Sequence, residues 1–176
     1  MLAACAPQVV GVVKMPDYSE RVGGAVLVLQ TTQVEGATQS RQSVSAGKSL
    51  ATFNDLLQKK LPELAKRDGF LPFLFTVGDP NFTKDGYRKF LGPDGKPHRH
   101  FLIIRPYRWE TKCGGFGNCR TTTTVITSVF DSRLGKEVWQ VSMEVPEKSN
   151  FQDYDSGDIE AYWSLLIGQL KGSQLL

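Results

Sequence analysis

The chain has 176 residues, 40% of them hydrophobic and 22% charged, with a formal net charge of +3 and a pI near 8.8. That length suits one domain whose core buries roughly 70% of the unfolded surface, and no stretch offers the about 18 uninterrupted apolar residues that a membrane-spanning helix needs. The basicity is mild, short of the lysine-dense and arginine-dense composition that by itself marks a nucleic-acid binder, so no nucleic-acid partner is expected.

Taken in chain order, the first feature is Cys5, preceded by Leu2-Ala3-Ala4. The four residues resemble the lipobox of bacterial lipoproteins, whose cysteine is lipidated once the leader is removed. The resemblance implies that residues 1–5 are the remnant of a lipoprotein signal, that Cys5 is the lipidation site, and that the membrane is a partner through a lipid anchor. In that family an aspartate after the cysteine signals inner-membrane retention; here Ala6 follows, which points to the outer membrane. A domain held there faces the periplasm or the cell surface, where it would meet antibodies as an antigen.

Residues 6–24 read as a tether, in which Val9 to Val13 can dock as a short strand, and residues 25–176 as a single domain. Ala25 to Leu29 is β-branched and apolar on both faces, the pattern of a central strand covered on both sides. Thr31 to Gly47 is a polar connector. Leu50, Phe53, Leu56, Leu57, Leu61, Leu64 and Ala65 recur at helical spacing, with Ser49 as cap, Pro62 expected to kink or restart the helix near Leu61, and Gly69 ending it. Phe70 to Val77 reads as a strand. Asp79 to Pro97 is a long connection that carries the turn Gly92-Pro93-Asp94-Gly95.

Three strands follow, Phe101 to Glu110, Thr121 to Phe130 and Glu137 to Val145. In the last, Trp139, Val141, Met143 and Val145 alternate with Gln140, Ser142 and Glu144, giving one wet face. A closing helix carries Ile159, Trp163, Leu166, Ile167 and Leu170 on one side, capped by Asp155 or Ser156. The expected fold class is α+β: a mixed, largely antiparallel sheet with two main helices packed on it, a single-domain layer sandwich.

Cys113 and Cys119 enclose Gly114-Gly115-Phe116-Gly117-Asn118. Five intervening residues do not match redox or zinc spacing, and the glycines allow a turn tight enough for a disulfide; two reduced thiols in a Gly-rich hairpin is the alternative. An oxidised pair would mean an oxidising compartment such as the periplasm.

The order of strand, helix ending in Gly69-Phe70, strand, long hairpin and terminal helix resembles a group of small bacterial envelope lipoproteins of unknown function. Their domain is similar to the amino-terminal domain of the translocation protein TolB. The likeness is carried by Asp131, Gly135-Lys136 and Trp139 in the hairpin and by Leu166 to Leu170 in the last helix. That family brings no catalytic residues, and the Cys113 to Cys119 loop departs from it.

Other motifs fall short of chemistry. Gly47-Lys48-Ser49 lacks the earlier glycine of a phosphate loop, since Gln42 stands there; Asp153 to Asp158 has Gly157 where a calcium loop needs a ligand. His98 and His100 share one face of an extended segment but have no third ligand, and a solvated strand end is expected. No metal and no cofactor is expected, and an enzyme is not.

One feature rises above background. Lys84, Arg88, Lys89, Lys96, Arg99, Arg105, Arg108, Lys112 and Arg120 fall in one stretch interleaved with Tyr87, Tyr107 and Trp109. Guanidinium groups beside aromatic rings suit phosphate and sugar recognition, and Arg88, Lys89, Arg99, Arg105, Arg108, Trp109 and Arg120 are the candidate contacts to an anionic partner; a merely solvated positive face is the alternative. The leading expectation is a lipid-anchored cell-envelope protein acting as a non-catalytic interaction or assembly module. The second is a soluble periplasmic binding protein for an anionic ligand such as a lipid head group or glycan, which a preformed cavity would favour.

Overall fold

The structure, a computed structural model, describes residues 6–31, 41–76, 84–92, 95–113, 119–147 and 154–176. Cys5, Asp153 and the loop between Cys113 and Cys119 lie outside them. Seven strands and three helices occur among the described residues: β1 (Gln8–Lys14), β2 (Val26–Thr31), α1 (Arg41–Arg67), β3 (Leu71–Pro72), β4 (Phe75–Thr76), α2 (Lys84–Lys89), β5 (His100–Cys113), β6 (Cys119–Asp131), β7 (Lys136–Pro146) and α3 (Ser156–Gly172). Along the sheet the order is β1-β7-β6-β5-β2-β3, with β4 also on β2. The pairs β5–β6, β6–β7 and β1–β7 are antiparallel, and β2 runs parallel to β5, β3 and β4. This is the mixed α+β layer expected.

Period-2 alternation sends Leu27, Leu29, Leu102, Ile104, Val125, Val129, Trp139, Val141, Met143 and Val145 to one face. There they meet the stripe of α1 (Phe53, Leu57, Leu61, Leu64) and that of α3 (Ile159, Trp163, Leu166, Leu170). Val26, Val28, Phe101, Ile103 and Phe130 point the other way and pack with Tyr87 of α2. Each fully buried aliphatic or aromatic side chain in these layers is worth about 1.5–3 kcal/mol. β2 is therefore covered on both faces, whereas β7 keeps Glu144 exposed and Ser142 half-exposed.

Four expectations change, and the short strand open to Val9 to Val13 forms: Gln8–Lys14 is an edge strand on β7, from Gln8 opposite Glu144 to Lys14 opposite Trp139, with a bulge between Val9 and Gly11. A valine run is an ordinary strand former, and β7 had a free ladder edge to offer it. The helix does not begin at Ser49: Arg41 to Ser49 is already helical, so the Gly47-Lys48-Ser49 string sits inside α1. Nor does it restart near Leu61. Pro62 removes one hydrogen bond, to the carbonyl of Gln58, whose residue is exposed, and the buried stripe on both sides holds the helix as one element.

The strand expected from Phe70 to Val77 is two short pieces, because Pro72 cannot donate to the ladder. The long connection after it holds the short helix α2. Gly69, at φ +81°, stops α1 as expected, and the amide of Phe70 caps the carbonyl of Ala65 at 2.8 Å.

Asp155 caps α3, its Oδ1 accepting from the amides of Gly157 (2.7 Å) and Asp158 (3.2 Å), while Asp158 Oδ2 accepts from the Asp155 amide at 2.8 Å. This reciprocal box uses two of the carboxylates that suggested a calcium loop, Asp155 and Asp158. Asp155→Ala is expected to lower the unfolding free energy by about 0.5–2 kcal/mol in urea denaturation, and Asp155→Ser by much less.

Candidate functional site

The two faces of the sheet differ. Among the described residues α1 and α3 cover one, and on the other α2 covers only the β2–β5 end. Beyond Ile103 and Phe130, over the rest of β5 and β6 and over β7 and β1, that second face is free of helix among the described residues, and Val10, Tyr107, Arg108, Thr124, Ile126, Ser142 and Glu144 line a shallow depression on it. Tyr107 is 66% exposed and Val10 61%.

At the α2 end of this face lies a cleft of about 420 Å³ lined by Gln30, Tyr87, Ile103, Arg105, Phe130, Lys136 and Glu137. Its floor is apolar, with the Tyr87 and Phe130 rings 5.0 Å apart between centroids. Across its mouth runs a chain of polar contacts. Arg105 Nε donates to Gln30 Oε1 at 2.8 Å, Arg105 Nη2 donates to Glu137 Oε1 at 2.6 Å, and Gln30 Nε2 donates to the Tyr87 hydroxyl at 3.3 Å.

The basic and aromatic residues read together in the sequence separate into five settings. Arg105 sits in the cleft mouth. Arg108 lies on the open face beside Glu110 (3.7 Å), which also meets Lys112 (3.5 Å), and the strand register sets Arg120 opposite Lys112. Arg88 and Lys89 belong to α2, where Arg88 Nε donates to the Ser132 carbonyl of the β6–β7 turn at 3.3 Å. Trp109 is moved to the opposite face. A bulge between Pro106 and Arg108 inserts Tyr107 as an extra residue, so Trp109 pairs with Thr123, whose hydroxyl bonds Tyr154 on the helix side. The same register ends on Cys113 opposite Cys119; the side chains of both, and that of Arg120, lie outside the described residues.

Arg99 is removed from the face altogether. Its Nε and Nη2 bond Asp131 Oδ2 at 3.0 and 2.9 Å, and its Nη1 meets Glu20 at 3.1 Å. Asp131 is fully buried. Its Oδ2 also accepts from the Tyr18 hydroxyl (2.9 Å), and its Oδ1 from the amides of Arg133 (2.9 Å) and Leu134 (3.1 Å). His100, expected at a solvated strand end, is instead buried, with Nε2 at 2.8 Å from the Tyr18 hydroxyl. Tyr18 has one hydroxyl hydrogen and gives it to Asp131, so His100 donates from Nε2, which fixes its tautomer.

Burial alone would raise the Asp131 carboxyl, but the Arg99 guanidinium, the Leu134 amide and the Tyr18 hydroxyl together hold it below the usual carboxylate range. Burial depresses His100 against the opposing pull of Asp131, so the ring is neutral at pH 7, and the 3.7 Å approach of the two is not an ion pair. Burial, then the bond to Asp131, pushes the Tyr18 phenol up. The cluster is saturated with partners and ties the segment after β1 to the hairpin turn.

Among the described residues no group of three or more His, Cys, Asp or Glu side chains is gathered as for a metal, and no helix is long and apolar enough to cross a membrane. Nothing in the sequence marked Gln30 and Glu137 as cleft residues or Tyr18 as a partner of Asp131, whereas Asp131 and Lys136 stand in the turn motif that runs from Asp131 to Gly135-Lys136.

The class defined by this geometry is an α+β layer domain with one sheet face half free of helix among the described residues. No family model and no curated protein sequence matches the chain. Among solved structures it is similar to the PelC dodecamer from Paraburkholderia phytofirmans (16% identity, TM-score 0.46, covering 97% of this chain and 99% of that one). It is likewise similar to the lipoprotein GNA1162 from Neisseria meningitidis (17%, 0.47, 84% and 99%) and to the protein XCC0632 of the family DUF330 from Xanthomonas campestris (12%, 0.36, 97% and 90%). At such identities no residue role passes from one chain to another.

Proposed function

We propose that this chain is a lipid-anchored protein of the bacterial outer membrane, held at Cys5, that works as a non-catalytic interaction or assembly module. It presents the helix-free face of its sheet to an anionic envelope component. The observation that carries this reading is the face itself: Arg108, Lys112 and the Arg120 position run along β5 and β6 beside exposed Tyr107 and Val10, with no helix over them among the described residues. The buried Tyr18, His100 and Asp131 groups and half-buried Arg99, by contrast, are spent on one another and on Glu20. The likeness to the amino-terminal domain of TolB, a Cys113–Cys119 disulfide and a role as surface antigen belong to the same reading.

Expression with the leader that a lipoprotein signal requires, followed by intact mass of the membrane fraction without reductant, should show an acylated Cys5 and two hydrogens missing from the cysteine pair. Cys5→Ser should move the protein to the soluble fraction; an unmodified chain that stays soluble overturns the anchor. The unanchored Cys5→Ser chain should then cosediment with phosphatidylglycerol vesicles in a salt-sensitive way, and adding Arg108→Ser, Lys112→Ser and Arg120→Ser should abolish most of that. Unchanged, salt-insensitive binding sinks the role of the face.

A further inference from the structure

We propose that the cleft between β2, β5, α2 and the β6–β7 hairpin is a binding site for a small monocarboxylate with an apolar tail. The inference needs the cleft alone and not the lipid anchor or the open face, so it stands or falls separately from the proposal above.

Shape comes first. A cleft of about 420 Å³ is within the range of small-molecule sites, about 300–1,000 Å³. Its floor consists of Ile103, Phe130 and Tyr87, 1%, 3% and 5% exposed, so an acyl or aryl group seated there would leave water for hydrocarbon and ring surface. Among the described lining residues the polar groups stand at the mouth.

Orientation is already set. Gln30 and Glu137 hold the Arg105 guanidinium through Nε and Nη2, and Nη1 has no partner among the described residues. A guanidinium held from two sides loses little freedom when a carboxylate docks on the remaining donors. Lys136, on the hairpin side of the mouth, supplies a second cation.

Charge selects the head group. Among the described residues the lining holds two cations, Arg105 and Lys136, and one carboxylate, Glu137, a balance of one positive charge. A carboxylate neutralises it. A phosphate monoester, carrying about −1.5 to −2 at pH 7, would put excess negative charge beside a Glu137 that already sits 2.6 Å from Arg105. Apolar floor, oriented guanidinium and single positive charge together describe a medium-chain or aryl-substituted carboxylic acid in its ionised form.

The test is a titration of the ¹⁵N-labelled, unanchored Cys5→Ser chain with octanoate, octanol, acetate and hexyl phosphate. Octanoate should shift the backbone amides of Ile103, Arg105, Phe130, Lys136 and Glu137 saturably, and octanol, acetate and hexyl phosphate should each bind at least about tenfold more weakly. Arg105→Met keeps the apolar stem and removes the guanidinium. It should weaken octanoate about tenfold while leaving octanol unchanged. If that variant loses its dispersed spectrum, Lys136→Met serves instead, with a several-fold loss for octanoate alone.

No saturable shift at about 10 mM octanoate, a range that would catch even a very weak site, overturns the proposal. So do shifts confined to residues away from the cleft, and octanol binding as tightly as octanoate. Hexyl phosphate binding more tightly than octanoate overturns the assignment of a carboxylate.

Discussion

Asp131→Ala is expected to lower the unfolding free energy by about 3–5 kcal/mol, because it removes a fully buried carboxylate on which a half-buried guanidinium, a buried hydroxyl and two backbone amides converge. The residue is fully buried, and its removal strands Arg99, the Tyr18 hydroxyl and the amides of Arg133 and Leu134 at once. Asp131→Asn keeps the shape and the amide contacts but loses the charge, and should fall between Ala and the natural residue. Glu20, which is 53% exposed, gives Arg99 only a partial substitute. Urea denaturation of the three chains at pH 7 measures the order, and a loss below about 1 kcal/mol for Asp131→Ala would show that water replaces the carboxylate.

The same cluster sets the pH dependence. The folded-state pKa of His100 is depressed, so below the unfolded value of about 6.5 the unfolded chain binds the proton first and stability declines as pH falls. The Asp131 carboxyl is also depressed; its contribution is present above the unfolded value of about 3.9 and is lost as pH falls through the folded one. Tyr18 is shifted the other way, so its contribution is full below about pH 10 and fades above it. Stability should therefore fall in two steps on the acid side, and Asp131→Asn should flatten the lower one.

Trp163→Ala is the second large effect, about 3–5 kcal/mol. The side chain is fully buried on α3, stacks edge-on to Phe70 with centroids 5.7 Å apart, and donates from Nε1 to Asp68 Oδ2 at 2.6 Å. It thus joins α3 to the turn between α1 and β3, 95 residues earlier in the chain. Trp163→Phe refills much of the space and leaves Asp68 with Arg67 (2.9 Å), so it should cost less than half as much. A loss for Ala as small as that for Phe would mean the helix repacks, which guanidinium denaturation of both variants would reveal.

Local chemistry made part of the molecule legible in the sequence. Alternation in Trp139 to Val145, the two-faced apolar run of β2, the stripe of α1 with Gly69 behind it and the Asp155 cap all depend on residues within a few positions of one another. The hairpin turn was legible for the same reason: Asp131 Oδ1 bonds amides two and three residues on. Its other oxygen was not, because it meets Tyr18, 113 residues away.

The sequence by itself determined the α+β class, the strands of the main hairpins, the terminal helix and the two-sided burial of β2, since hydrophobic period and turn residues act at short range. Only the tertiary structure decided that the valines after Ala6 join the sheet, which required a free edge on β7, and that α1 carries on through Pro62, which required packing on both sides of it. It also divided the basic stretch. Arg99 was taken inward by Asp131, Arg105 was set at the cleft mouth by Gln30 and Glu137, and Trp109 was turned to the helix side by one bulged residue. Charge and aromaticity are properties of a residue, but the face it occupies depends on register, and register is fixed by strands distant in sequence.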